Sequence, residues 1–306
     1  MLPLLLTYRL EAFPMLYRQN SEANEKYCTV LELRHGFSED GMATQLWQSA
    51  IEHLRRHQDV TVEAFGKKPL TTEEGLWANL IRKRIEVWTS SIDSLGIPFR
   101  GIQSPNTVTI LLGNQGGEDA FVYADSIICF DLRRLYKVYG SANHLDNINR
   151  IDRFFAHEYT HVLHKAWRKR NSIVLDTPLD HALWECLTEG IGNYRSLSEK
   201  WVTSNGELSE HADSVLRRLQ AVFVERIVAL DHATFEEARP LMKGLSMGRF
   251  DQKWGALTVA LWLAQEVKGD ESNLQEWVDA GPMGILLLAN KYLPEELRRQ
   301  LPKSKH

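Results

Sequence analysis

The sequence predicts an α+β fold: a mixed small β-sheet with helices in the N-terminal half, a largely helical C-terminal half, and a metal site between them. Three observations carry this. Short β-rich apolar runs at residues 107–112, 120–124 and 126–130 all fall in the first half. From residue 183 onward, apolar side chains recur almost entirely at helical spacing. Between them, Phe154-Phe155-Ala156-His157-Glu158-Tyr159-Thr160-His161-Val162-Leu163 places an H-E-x-x-H motif inside a run, 141–170, that neither Pro nor Gly interrupts. The expected regions are 1–145 and 146–306, as two units or as one continuous domain, and 306 residues suffice for either.

Residues 4–13 fit a first strand or a short helix, and 28–33 alternate apolar and polar as a strand does. Residues 40–57 read as an amphipathic helix with Met42, Leu46, Trp47, Ala50 and Leu54 as its stripe. A second helix is expected over 72–95, with Thr71 as N-cap and Glu74 completing a capping box. Its Arg82-Lys83-Arg84 cluster, with Glu73, Glu74 and Glu86 nearby, reads as a solvated face. Gly96 and Pro98 end that helix. Gly113-Asn114-Gln115-Gly116-Gly117 makes a turn; it lacks G-x-G-x-x-G spacing and a Lys, which argues against a phosphate loop. The runs 120–124 and 126–130 suggest a hairpin across Asp125. A loop over 171–178 precedes helices at 183–198, 208–229, 234–243, 253–268, 271–278 and 294–301. Residues 254–263 are apolar all round, so that helix is expected to be buried.

Hydrophobic content of 43% and charged content of 25% are ordinary for a soluble globular chain. A net charge of −4 argues against nucleic-acid binding, which leaves a basic footprint. No apolar run approaches the length of a membrane span, and the apolar start, residues 1–6, lacks the basic flank and cleavage site of a signal peptide. Cys28, Cys129 and Cys186 are few and far apart, as suits a reducing compartment. The expected location is the cytoplasm, with no membrane and no nucleic-acid partner; the sequence sets no oligomeric state.

On a helix, His157 and His161 lie one turn apart on the same face. Two imidazoles so placed can grip one Zn²⁺ at about 2.0–2.1 Å each. Glu158 then sits beside the metal, where it can take a proton from the attacking water. By chance, H-E-x-x-H arises in roughly one chain in a hundred of this length, so the motif needs a second support. A catalytic zinc wants three protein ligands and an open position. Leu187-Thr188-Glu189-Gly190-Ile191-Gly192-Asn193-Tyr194 supplies a carboxylate in a helical context. Glu189 is the preferred third ligand, and Glu185, one turn earlier, is its rival. Asn193, one turn after Glu189, is the candidate to orient a ligating His. His164 and Cys186 are read as packed residues rather than ligands.

On these residues the chain resembles the gluzincins, the zincin clan that holds thermolysin-like proteases and zinc aminopeptidases. The aminopeptidases take their third ligand from an N-E-G-x-A-x-Y run, and this chain reads T-E-G-I-G-N-Y, with Thr188 for Asn and Gly192 for Ala. The resemblance is closer to a bacterial family of predicted Zn-dependent proteases, which pairs an A-H-E-Y-x-H helix with a later E-G-[LI]-[AG] helix. It covers about residues 97–194. It implies a zincin-like fold, one Zn²⁺ per chain on His157, His161 and Glu189, and Glu158 as the catalytic proton carrier. It also implies an edge strand that borders the cleft and pairs with substrate backbone, for which Phe121, Val122 and Tyr123 are the natural residues.

One departure matters. Where the bacterial family carries a Tyr before a Gly in its C-terminal helix, this chain has Trp254 before Gly255. An indole offers an N–H but no hydroxyl, so the oxyanion donor falls to Tyr194, His211, His232 or Arg249. Gly244-Leu245-Ser246-Met247-Gly248 matches the G-x-S-x-G elbow of α/β-hydrolases, but no strand pattern precedes it and the only later histidine is His306. It is read as a turn between helices. The expected function is a zinc-dependent peptidase acting on a peptide or protein substrate. The alternatives are a zinc hydrolase of a non-peptide amide, or a catalytically degenerate zinc-binding protein with an interaction or regulatory role. The aminopeptidases' G-x-M-E-N strand is missing, which disfavours aminopeptidase action.

Overall fold

The computed structural model describes residues 29–37, 41–57, 69–203 and 205–302. The expected element at 4–13 and Cys28 lie outside these. Strand β1 (Val30–His35) is followed by helices α1 (Gly41–His57) and α2 (Thr72–Gly96). Strands β2 (Thr107–Gly113), β3 (Ala120–Tyr123) and β4 (Ile127–Asp131) come next. The sheet order is β1-β2-β4-β3, with β1, β2 and β4 parallel and β3 antiparallel to β4. Parallel pairing of β1 with β2 requires a crossover, which α1 and α2 supply. The β3–β4 hairpin turns through Ala124, held at φ 53° in the left-handed region.

Side chains alternate across the strands. Leu111, Phe121 and Cys129 face α1 and pack with Trp47, Ala50, Ile51 and Leu54. Trp47 lies so close to the end of β2 that a Cβ on Gly113 would stand 1.8 Å from its ring. Met42, placed in the apolar stripe from its spacing, is instead 69% exposed. The opposite face carries Val108, Ile110, Leu112, Ile128 and Phe130 into the larger core. That core runs from Leu31 to Leu293 and draws on both sides of residue 145.

The helix α2 begins at the expected capping box, Thr71 with Glu74. Its basic cluster is not wholly solvated. Arg84 forms a two-pronged ion pair with Asp152 at 2.9 and 2.7 Å, and Trp88 Nε1 donates to the same carboxylate at 2.7 Å. Asp152 belongs to α4 (Leu145–Asn171), which α3 (Leu132–Tyr139) precedes. The sequence pattern did not separate α3, because Asp131 ends β4 and caps the helix in one step, with no Gly or Pro between. Trp88 stacks on Phe155 at 4.5 Å, and Phe155 on Tyr159 at 5.6 Å, which fixes the rotation of α4 over the sheet.

The chain continues with α5 (Pro178–Ser196), α6 (Glu210–His232), α7 (Phe235–Leu241), α8 (Ala256–Val267), α9 (Gln275–Ala280), α10 (Gly284–Tyr292) and α11 (Glu295–Arg298). Two differ from the sequence reading. The helix α5 starts five residues before 183, at Pro178, behind a Thr177–Asp180 capping box. Proline suits a first helical position, whose N–H has no partner in any case. The helix α10 was not expected. The buried α8 was, and Ala256 to Leu263 are all buried. It packs on α5 so tightly that a Cβ on Gly190 would meet Val259 Cγ1 at 2.4 Å.

Arg195 locks the end of α5. Its guanidinium is buried and donates to Thr160 Oγ1 on α4 (2.7 Å) and to Leu95 O at the end of α2 (2.8 Å). It also pairs with Glu271 at 2.7 Å. Glu271→Ala would leave that buried charge uncompensated, and the expected loss is about 3 kcal/mol of unfolding free energy. Thr71→Ala, which removes only a helix cap, should cost about 1 kcal/mol. Urea unfolding of both variants checks the ranking; a loss at Glu271 no larger than at Thr71 contradicts it.

Candidate metal centre

Two helices build the site. On α4, Phe155, Tyr159, Val162 and Leu163 are buried, which turns His157 and His161 toward α5. From α5, Glu189 faces back. His157 Nε2 and His161 Nε2 stand 3.0 Å apart. Glu189 Oε2 lies 3.6 Å from His157 Nε2, and Glu189 Oε1 3.4 Å from His161 Nε2. Bonds of about 2.0–2.1 Å to a tetrahedral ion set its ligand atoms about 3.3–3.4 Å apart. The three observed separations bracket that spacing, so the cluster can hold a metal ion. Glu185 is not part of the cluster; its Oε1 accepts a hydrogen bond of 2.5 Å from Ser246 Oγ. The G-x-S-x-G segment is a turn, as expected, and Ser246 is spent on Glu185.

The electrostatics suit a cation. Burial raises Glu189, but the neighbouring His161 and His157 outweigh it and hold the carboxyl down to about 2. Burial, with the charge of His157, lowers His161 to about 4. Burial also acts to lower His157, yet Glu189 and Glu158 raise it above its ordinary value. Glu189 is therefore anionic and His161 neutral at pH 7, the states in which they bind metal. Glu158 is buried, and burial, helped by the charge of Glu189, lifts its carboxyl to about 7.

Two further residues of α5 shape the centre. His157 Nδ1 lies 3.1 Å from Ser196 Oγ; with Nε2 on a metal, Nδ1 would carry the hydrogen and donate to that hydroxyl. Asn193, expected in that role, donates instead to the Glu189 carbonyl of its own helix at 2.8 Å. A Cβ on Gly192 would stand 2.9 Å from His157 Cε1 and Nε2, so a larger residue there would have to displace the imidazole. Ser196 left no signal in the sequence, because its role depends on where α5 ends against α4.

The candidate oxyanion donors do not gather here. Arg249 is 74% exposed and paired with Asp251, and His232 is 80% exposed beside Asp231. His211 is exposed and packs on Trp201. Tyr194 packs on the core, burial raises its phenol, and the charge that adds to this is Glu271. Trp254 is buried and donates its N–H to Lys243 O at 3.0 Å. Its neighbour Lys253 was not foreseen. The Lys253 charge acts on His157, Glu158, His161 and Glu189 alike, and its ammonium lies 5.5 Å over the Phe250 ring. Its one signal in the sequence was adjacency to Trp254-Gly255. His164 is buried between the Phe99 and Trp184 rings, not in the cluster.

Strand β3 is an edge of the sheet, as expected, with no strand beyond it among the described residues. Phe121 points under the sheet to Trp47, Val122 to the larger core, and Tyr123 packs on His53. Lys165 on α4 donates to the Ala124 carbonyl, tying the end of β3 to the metal helix one turn past His161. No helix of the described residues is long and apolar enough to cross a membrane. No family model, curated protein or solved structure matches this chain.

Two tests follow from this geometry. Ser196→Ala and Gly192→Ala are each expected to weaken zinc affinity about 10–100-fold, as loss of a partner that orients a ligand does. Competition with a chromogenic chelator measures this; unchanged affinity in both would show that neither residue sets the His157 ring. The second test concerns Glu185, whose carboxyl burial raises to about 7. The stability it contributes is full below its ordinary value of 4.5 and is lost as pH rises to about 7, because only the folded chain keeps the proton. Glu185→Gln should flatten that fall in the thermal midpoint of the metal-free chain and keep the metal, whereas Glu189→Gln should lose the metal. A Glu185 variant without metal would reverse the ligand assignment.

Proposed function

We propose that this chain is a zinc-dependent peptidase of gluzincin type, with a zincin-like fold. One observation carries the reading: three donor atoms at tetrahedral spacing, with the buried carboxyl of Glu158, the neighbour of His157 in the chain, outside the cluster. Two imidazoles and a carboxylate are a donor set that suits zinc. His157, His161 and Glu189 would hold one ion per chain. Bound there, zinc supplies Lewis acidity, which polarises the scissile carbonyl and makes water acidic. Glu158 would take the proton of the attacking water and hand it to the leaving amine. Ser196 keeps the His157 ring in place. The positive charge of Lys253 acts on the cluster and on Glu158, which would favour an anion forming there. The edge of β3, unpaired by any strand among the described residues, would offer N–H and C=O groups to an extended peptide. The buried thiols of Cys129 and Cys186 fit a reducing compartment, in line with a cytoplasmic location.

A second reading, a catalytically degenerate zinc-binding protein, is favoured by the Trp254 N–H being occupied by Lys243 O. Glu158→Gln separates the two. It keeps the shape and removes the basicity, so the variant should bind zinc as the parent does. Its hydrolysis of a broad peptide library should fall by about 10²–10⁴-fold. Equal hydrolysis by parent and variant would overturn the mechanism, and a zinc-loaded parent that cleaves nothing would favour the second reading.

A further inference from the structure

The face of α4 that carries His157 and His161 continues past the metal cluster. Lys165 follows His161 by one turn, and Arg168 and Lys169 by two. Together with Ser172 and Ile173 from the helix cap and Asp125 from the β3–β4 turn, they line a cleft of about 590 Å³. Three cations thus face one carboxylate.

Cations in the last turn of a helix also complement its dipole, and that suffices for Lys169 and Arg170. It does not account for Lys165, six residues before the end of α4, whose ammonium is held by the Ala124 carbonyl of the hairpin rather than by the helix's own last carbonyls. An ammonium has three hydrogens to donate, and this bond uses one. Arg168 is also placed from outside the helix end: its guanidinium lies 5.5 Å over the Trp184 ring, and its Nε donates to Ile173 O at 3.4 Å. Its terminal N–H groups have no hydrogen-bond partner among the described residues. Lys169 forms no ion pair among them. The unused donors of all three cations border one cleft.

That cleft also terminates the edge strand. Strand β3 ends at Tyr123, and its turn residue Asp125 is a wall of the cleft. Lys165 ties this end of β3 to the metal helix one turn past His161, so a peptide lying along β3 and across the metal would run toward the cations. Four to seven residues of helix separate His161 from Lys165 and Arg168, about 6–10 Å at 1.5 Å per residue. An extended peptide covers this in two to three residues.

We propose that the cleft is a subsite of the same centre that receives a carboxylate two to three residues from the scissile bond, so the substrate class is peptides with an anionic group there. Charge-assisted hydrogen bonds from the lysines and Arg168 would hold it. The carboxylate is either a peptide C-terminus, which makes the chain a carboxypeptidase releasing short fragments, or an Asp or Glu side chain within a longer substrate. The inference rests on the peptidase reading.

The test uses the full zinc-loaded chain carrying Glu158→Gln, so that peptides bind without turnover, and reads fluorescence anisotropy. The probes are three dye-labelled peptide mixtures: neutral with a free C-terminus, neutral with a C-terminal amide, and amidated with one Glu at varied positions. Either carboxylate-bearing mixture should bind at least about tenfold tighter than the neutral amide, and which one does so tells a terminal from a side-chain carboxylate. Lys169→Glu should reduce the preference, and Lys165→Gln with Lys169→Glu should abolish it, with zinc content unchanged. Should the double variant not fold, Lys169→Glu at an exposed position still decides. Equal binding of all three mixtures, or a preference left undiminished by Lys169→Glu, overturns the subsite and leaves the peptidase reading standing. Binding of none, together with no cleavage by the parent, overturns both.

Discussion

The centre depends on α5 lying close enough to α4 for a carboxylate on one helix to meet two imidazoles on the other. Ordinary side chains would hold the helices apart. Here glycine removes the obstruction on each side of α5: Gly192 where His157 seats, and Gly190 where Val259 of α8 presses in. A third glycine, Gly255, stands where a Cβ would be 2.7 Å from Cys186 Sγ. The buried α8 thus acts as a backstop that pushes α5 onto α4. Arg195 then fixes how far along α4 it sits, through Thr160, the α2 carbonyl and Glu271. Interiors packed this closely pass small displacements from one helix to the next, so the spacing of the three donor atoms is a property of the whole helical layer.

That packing gathers charge where water is scarce. Glu158, Glu185 and Glu189 lie within one turn or two of the same helix pair, and two of them hold protons near neutrality because burial disfavours their anions. Glu189 alone stays ionised, because two imidazoles face it. Two Nε2 atoms 3.0 Å apart present lone pairs to one another unless a proton or a cation lies between them. A divalent ion resolves that conflict and the Glu189 charge together. On the proposed reading the same arrangement divides the carboxylates by role: the one that faces both imidazoles would be a ligand, and the one buried beside them a proton carrier.

Much of this was legible in the sequence wherever it depends on local spacing. The H-E-x-x-H pair is set by helical periodicity, the Thr71 capping box by two residue types three apart, and β3 and β4 by short apolar runs around Asp125. Local rules also misled. Pro178 looked like the end of a loop but opens α5, since the acid of its capping box is Asp180 rather than Glu or Gln. The strand-to-helix junction at Asp131 carried no punctuation, so α3 went unseen. What the sequence could not carry is what tertiary approach creates. Ser196 meets His157 across 39 positions, Ser246 meets Glu185 across 61, and the charge of Lys253, just before α8, acts on the cluster. Asn193 had the right spacing on its helix, but the nearer carbonyl of Glu189 takes its amide.

The central claim is that His157, His161 and Glu189 are the ligands of one zinc. X-ray absorption at the zinc edge of the loaded chain tests this most directly. The account predicts a first shell of nitrogen and oxygen only, at about 2.0–2.1 Å, with the outer-shell scattering of two imidazole rings. A sulfur scatterer at about 2.3 Å, or a shell with no imidazole contribution, would contradict it.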